Sequence, residues 1–190
     1  FTSRLPQWYT DRIERLEGVK AAVPMQVLVS NCRASLDVVT FRGVPEDDLA
    51  TSLSPGTEII TGSISDWTQR GDAAIVGEAL AARRGVRVGD RFSAAGITVY
   101  IAGILTSEEM QDRNSAWVHL PFLQEAMRRG GTGGFVTQFN VIVDDPTKME
   151  QVAAAIDETF RHDERPTATR PEKAFIGRAA RDIVGIANFA

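Results

Sequence analysis

An α+β fold is predicted from three features of the chain. Helix-like segments lie towards both ends, two β-branched runs near the start return on one another, and the middle alternates apolar with polar residues. Residues 5–17 set Trp8, Ile13 and Leu16 near one helical face, with Asp11, Arg12, Glu14 and Arg15 largely outside it. Gly18 is expected to end that helix, because glycine enters the left-handed conformation without steric cost. Val19 to Ser30 is rich in strand formers and stops at Asn31, and Leu36 to Phe41 returns as its antiparallel partner. Pro45 with Glu46, Asp47 and Asp48 opens a loop that Ser54-Pro55-Gly56 extends.

The centre reads more sharply. Ala73 to Val76 is a short strand, and Glu78 to Arg84 a two-turn helix stopped by Gly85. Val86-Arg-Val-Gly-Asp90 turns tightly into a strand at Arg91. Ala95-Gly96 reverses the chain into a half-buried strand with Ile97, Val99 and Ile101 on one face. Ser115 to Leu120 is a further strand, and Pro121 suits the first turn of a helix running to Arg129. Gly130 to Gly134 is expected to be a flexible joint, and Phe135 to Val143 a strand. Asp145-Pro146-Thr147 caps a helix whose buried stripe is Val152, Ala155, Ile156 and Phe160, with Thr147 and Glu150 at capping-box spacing. Pro166 and Pro171 bound a polar linker, and a last helix begins near Glu172.

Of the 190 residues 43% are apolar and 24% charged, enough to bury a core. The formal net charge of -4 argues against a nucleic-acid partner, since phosphate binding needs a basic face. Lys/Arg clusters of the kind that hold a protein on anionic lipid are missing. Cys32 is the single cysteine, which rules out an internal disulfide and a thiolate zinc cluster. The chain opens without Met and ends on Ile183-Val-Gly-Ile-Ala-Asn-Phe-Ala190. These ends read as those of an excised segment, as a loop cut from between two transmembrane helices would, and as any engineered domain would.

Little in the sequence points to catalysis. His119 and His162 fall in different elements and at no spacing with ligand geometry. His162 belongs to a solvated run, Arg161 to Arg165, and His119 at a strand end is expected to be structural. Neither a nucleophile elbow nor a P-loop is present. Glu108, Glu109 and Asp112 share a predicted loop but lack calcium-loop spacing. Catalytic, metal and cofactor sites are therefore all expected to be none. A small hydrolase using His119 or His162 is the alternative from a different class.

Ile13-Glu-Arg-Leu-Glu-Gly-Val-Lys-Ala-Ala-Val-Pro24, Gly62-Ser-Ile-Ser-Asp66 and Ala74-Ile-Val-Gly-Glu-Ala-Leu-Ala-Ala-Arg-Arg-Gly-Val-Arg-Val-Gly-Asp90 follow one another along the chain. Gly96-Ile-Thr-Val-Tyr-Ile-Ala-Gly-Ile104 and Phe139-Asn-Val-Ile-Val-Asp-Asp-Pro146 complete the set. Taken in order, these pieces resemble the extracytoplasmic domains of MacB-like and FtsX-like ABC-transporter permeases. The resemblance implies a mixed α/β subdomain made from both chain ends, residues 1–56 and 134–190, with an inserted β-rich subdomain, residues 57–133. It implies a non-catalytic module outside the inner membrane that couples ATP-driven motion to substrate or partner handling. Its implied partners are a cognate ATP-binding subunit, a second permease copy, and a periplasmic adaptor or lipoprotein. An FtsX-like regulator of a cell-wall hydrolase is the alternative within the same class. The partner surface is expected in the 106–114 loop and around Trp67, with Trp67, Met110 and Arg113 as contact residues. Burial of Trp67 and Met110 in the core is the opposing reading.

Overall fold

In the computed structural model, residues 4–31, 38–128 and 134–171 are described. The elements in order are β1 (Leu5–Pro6), α1 (Tyr9–Glu14), β2 (Val19–Asn31), β3 (Val38–Val44), α2 (Leu49–Ser52), β4 (Glu58–Gly62) and α3 (Ile64–Thr68). They continue with β5 (Ala73–Gly77), α4 (Glu78–Arg84), β6 (Arg91–Ala94), β7 (Ile97–Thr106), α5 (Met110–Arg113) and β8 (Ser115–His119). The last are α6 (Leu120–Ala126), β9 (Phe135–Val136), β10 (Gln138–Val143) and α7 (Met149–Thr159). Helices and a mixed sheet alternate, so the fold is α+β as the sequence predicted. Two compact units divide the chain: Phe1–Gln7 with Val23–Asn140, and Trp8–Ala22 with Val141–Ala190. Strands β2 and β10 contribute residues to both.

The larger unit is built around a sheet in the order β10-β2-β3-β8-β5-β7-β4, with β6 pairing β7. The pairs β3–β8 and β5–β7 are parallel, while β2–β3, β5–β8, β4–β7 and β6–β7 are antiparallel. Thus β3, from before residue 57, pairs with β8, from after it. Every residue of β5 is buried. Its alternation divides the core: Ala74 and Val76 join Phe41, Leu80, Phe92, Val99, Ile101 and Leu123, whereas Ala73 and Ile75 join Met25, Leu49, Trp67, Leu105 and Trp117. Helices α4 and α6 supply Leu80 and Leu123 to one face, and α2 and α3 supply Leu49 and Trp67 to the other. Covering a fully exposed leucine-sized side chain in this way contributes about 1.5–3 kcal/mol.

Local chemistry explains most boundaries. Gly85 at φ 65° terminates α4 and donates its amide back to the helix, as the sequence predicted. The hairpin β6–β7 pairs Ala94 with Ile97 across Ala95-Gly96, both at positive φ. Leu120 and Pro121 open α6 directly after β8, and the helix stops at Ala126 rather than Arg129. The segment read as a loop after Pro45 instead forms a 3-10 turn, Glu46–Asp48, running into α2. Strand β4 and helix α3 have no counterpart in the sequence reading. Ser63 caps α3, its hydroxyl accepting the Asp66 amide proton at 3.0 Å and donating to the Asp66 carboxylate at 2.7 Å. Arg70 then makes two bonds to Asp72, at 3.0 and 3.2 Å, and lies 4.3 Å from the Tyr100 ring centroid. That bonding holds the Asp72 carboxyl below its ordinary range.

The smaller unit is organised by α1 and α7. Helix α1 covers only Tyr9–Glu14, with Leu5–Pro6 before it in a strand, so Gly18 lies beyond the helix end. Gly18 still takes φ 84°, its carbonyl accepts the Asp144 amide proton at 3.0 Å, and a Cβ there would meet Val152 at 3.0 Å. Val152, Ile156 and Phe160 are buried, whereas Ala155 is exposed and does not belong to the stripe. Capping before α7 falls to Asp145, whose carboxylate accepts from both the amide and the hydroxyl of Thr147. This bonding lowers the Asp145 pKa, the hydroxyl contributing most. Of the predicted Gly130–Gly134 joint only Gly134 is among the described residues, and Cys32 and the helix from Glu172 lie outside them.

Gly77 and Gly85 separate close approach from backbone conformation. A Cβ on Gly77 would collide with the backbone of Asp112 and Arg113, while one on Gly85 meets open space. Gly77→Ala is therefore expected to cost about 3 kcal/mol, the upper end of overpacking. Gly85→Ala should cost about 1 kcal/mol, the left-handed penalty alone. Urea midpoints of the two variants measure this, and equal losses would contradict the packing account.

Tyr9 supplies a pH prediction. Burial raises its phenol above the ordinary value, and the nearby Asp163 carboxylate adds to the rise. The raised folded pKa gives stability that is fully present below the unfolded tyrosine value of about 10. That stability is lost as pH rises through the folded value. An alkaline titration of unfolding should show this loss in the native chain and a smaller one in Tyr9→Phe. Superimposable alkaline limbs would count against it.

Candidate partner-contact site

Between the end of β7 and the start of β8 the chain must turn from one strand to another that is not its neighbour in the sheet. Residues 107–114 make that connection, and polar side chains fasten it to the larger unit. Ser107 is buried, and its hydroxyl accepts the Glu109 amide proton at 3.1 Å and a bond from the Thr57 hydroxyl at 3.0 Å. Asp112 is 1% exposed; its Oδ2 accepts the Ser54 amide proton at 3.2 Å and the Ser107 hydroxyl at 3.4 Å. A buried carboxylate needs such donors, because desolvation without them costs several kcal/mol, on the order of the penalty for an unpaired ion.

Helix α5 grows from this anchor. The Asp112 and Arg113 amides return to the Glu109 carbonyl at 3.1 and 3.2 Å, and the Asn114 side-chain amide donates to the Met110 carbonyl at 2.9 Å. Arg113 pairs with Glu78 at 2.9 Å and Arg83 donates to Asn114 at 2.8 Å, which tie the connection to α4. On the other flank, Arg42 donates to Ser115 Oγ at 3.1 Å and Gln111 Oε1 at 3.0 Å while its guanidinium lies 5.3 Å from the Trp117 ring centroid. Gly77 lets the backbone of Asp112 and Arg113 close onto β5, as no side chain intervenes.

What this base presents outward is small and distinct. Met110 is 69% exposed, and Glu108 and Glu109 beside it are exposed as well. An apolar side chain flanked by two carboxylates on a fixed backbone can enter an apolar socket bordered by basic groups, with little ordering cost. Arg113 is half-buried and engaged by Glu78, so its place is at the base of the protrusion.

Trp67 is elsewhere. It is fully buried, its indole stacks on the His119 ring with centroids 3.7 Å apart, and its Nε1 donates to the Trp117 carbonyl at 3.1 Å. It has no surface to offer a partner, so of the two readings of Trp67 the core one describes this structure. His119 is buried with Nε2 3.0 Å from the Trp67 carbonyl, and His162 is exposed in the turn after α7. The structure does not bring the two histidines into one unit. Among the described residues no group of three or more His, Cys, Asp or Glu is placed to hold a metal ion. None of the helices among them is long and apolar enough to cross a membrane.

Sequence reasoning singled out Met110 and Arg113 as contact residues but named none of the residues that fasten the connection carrying them. Ser54, Thr57, Arg42 and Glu78 lie between 30 and 75 residues away along the chain, and no local pattern couples them to the 107–114 connection. Only the Ser107–Glu109 side-chain turn has a local signal.

The family model described as the MacB-like periplasmic core domain matches residues 1–159. No curated protein sequence matches the chain. Among solved structures, the extracellular domain of the noncanonic ABC-type transporter YknZ from Gram-positive bacteria superposes with a TM-score of 0.62 at 14% identity, covering 90% of this chain and 91% of that one. The periplasmic region of MacB from Actinobacillus actinomycetemcomitans gives 0.56 at 8% identity, covering 82% and 74%. A domain of a putative permease from Porphyromonas gingivalis gives 0.52 at 15% identity, covering 93% and 86%. These likenesses are in fold.

Removing the buried anchor separates base from tip. Asp112→Ala leaves the Ser54 amide and Ser107 hydroxyl without their acceptor and should destabilise the chain by about 1–3 kcal/mol in urea. Met110→Ala should change stability by no more than about 0.5 kcal/mol. A large loss for Met110→Ala would mean that its side chain packs rather than projects.

Proposed function

The chain belongs to the MacB-like periplasmic core domain family, and we propose that it serves as the extracytoplasmic part of an ABC-transporter permease. In this role it receives ATP-driven motion through the membrane part and passes it to a substrate or partner outside, without catalysis of its own. The match over residues 1–159 is the observation that carries the proposal. The cognate ATP-binding subunit, a second permease copy and a periplasmic adaptor or lipoprotein are the partners it would work with. The site of action is the outer face of the inner membrane. The division into residues 1–56 with 134–190 and residues 57–133 is part of the same family-based proposal, whereas the compact units of this structure divide the chain elsewhere, with β3 and β8 paired in one sheet.

The 107–114 protrusion is the contact surface in this reading, with Met110 at its tip and Arg113 at its base. A module that transmits force benefits from a contact point that does not yield. The buried Asp112 and the bonds to Ser54, Thr57 and Glu78 give that stiffness.

Two measurements test the proposal. Hydropathy of the complete reading frame should show apolar spans of about 20 residues flanking this segment. A frame without them removes the permease reading. In the reconstituted permease with its ATP-binding subunit, spin labels on Met110→Cys in a Cys32→Ser background should report a different distance between the two copies with and without ATP. Identical distance distributions in both states would show that motion does not reach this surface.

A further inference from the structure

Helix α7 ends at Thr159, yet the residues that follow do not depart from it. The Asp157 carboxylate accepts the Thr169 amide proton at 2.9 and 3.0 Å, the Thr169 hydroxyl at 2.8 Å and the Thr167 hydroxyl at 2.8 Å. One side chain near the end of the helix thus gathers three donors from ten to twelve residues further on. Pro166, just before this stretch, has a fixed φ and no amide proton, which limits the ways the returning chain can be arranged.

Helix α1 closes over the same segment. Arg12 donates to the Asp163 carboxylate at 2.6 Å and to the Thr159 carbonyl at 3.0 Å, and its guanidinium lies 4.5 Å from the Phe160 ring centroid. It thereby meets the negative end of α7, where a cation is favoured. Tyr9 stacks on Phe160 with centroids 4.1 Å apart, and its hydroxyl donates to the Arg165 carbonyl at 3.2 Å. All of these groups belong to the smaller unit. Residues 160–169 also follow the 1–159 stretch that the family model matches.

We propose that residues 160–169 form a latch, fastened to α7 through Asp157 and to α1 through Arg12 and Tyr9. Helix α1 and the segment following α7, 151 residues apart at the Arg12–Asp163 pair, then respond to load as one body. The latch is a property of this unit by itself. Its mechanical use, in which a pull on either segment reaches both, rests on the permease reading given above.

Amide hydrogen exchange on the whole 190-residue chain tests the latch directly. In Asp157→Ala the Thr169 amide should exchange at least about tenfold faster, and the amides of Tyr9–Glu14 should also speed up. Arg12→Ala should accelerate residues 160–169 in return, as reciprocal coupling requires. Strands β5, β7 and β8 should keep their protection in both variants. Faster exchange at Thr169 with α1 unchanged would overturn the proposal, leaving only a local turn. If Asp157→Ala fails to fold, Thr167→Val with Thr169→Val removes the two hydroxyl bonds and is read by the same criterion. In the full permease, a latch released by exchange criteria with unchanged ATP-driven motion would overturn its mechanical use while leaving the permease reading intact.

Discussion

Strand β5 has neighbours on every side. It pairs with β7 and β8, and both of its faces are covered. A strand in that position can carry only small or apolar side chains, and Ala73-Ala-Ile-Val-Gly77 meets the demand. Because both faces need cover, helices must pack on both: Leu80 and Leu123 on one, Leu49 and Trp67 on the other. The glycine at its end carries the same constraint outward. Gly77 admits the backbone of Asp112 and Arg113, so the core and the protruding connection share one packing requirement.

Polar groups inside the larger unit are arranged by a similar economy. The Trp67 indole donates to the Trp117 carbonyl while the Trp67 carbonyl meets His119, and ring stacking fills the space between. Asp112 stands at the edge of this interior with amide and hydroxyl donors around it. A buried group satisfied by neutral donors is worth little net, yet its loss is expensive, since the partners are left desolvated and unpaired. That asymmetry makes the base of the 107–114 connection costly to disrupt without making it a large source of stability.

In the smaller unit, one cation does several jobs. Arg12 bonds Asp163, meets the carboxyl end of α7 and stacks on Phe160. Guanidinium suits this because its planar fork can donate and stack at once, which a lysine ammonium cannot. Its exposure is intermediate, as is that of Asp163. The pair by itself is therefore a modest contributor, and the arrangement depends on Tyr9, Phe160 and Asp157 acting with it.

Local sequence determined the elements whose causes are local. Gly85 stops α4 because glycine alone tolerates φ 65° cheaply, Ala95-Gly96 reverses the chain, and the alternation from Ile97 to Ile101 marks a strand with one face buried. The ordered motifs from Ile13 to Pro146 were enough to recognise the family. Elements held by partners distant in sequence were not legible. Strand β4 exists because β7 offers an edge, and α2 and α3 exist because the sheet has a face to cover. The sequence left Trp67 open between surface and core, since a five-residue helix has too little periodicity to orient an indole. The same holds for Asp112, which reads as one more loop acid until Ser54 and Ser107 come to meet it. Tertiary structure decided these cases for a physical reason: burial and hydrogen-bond satisfaction depend on which groups converge in space, and spacing along the chain does not encode that convergence.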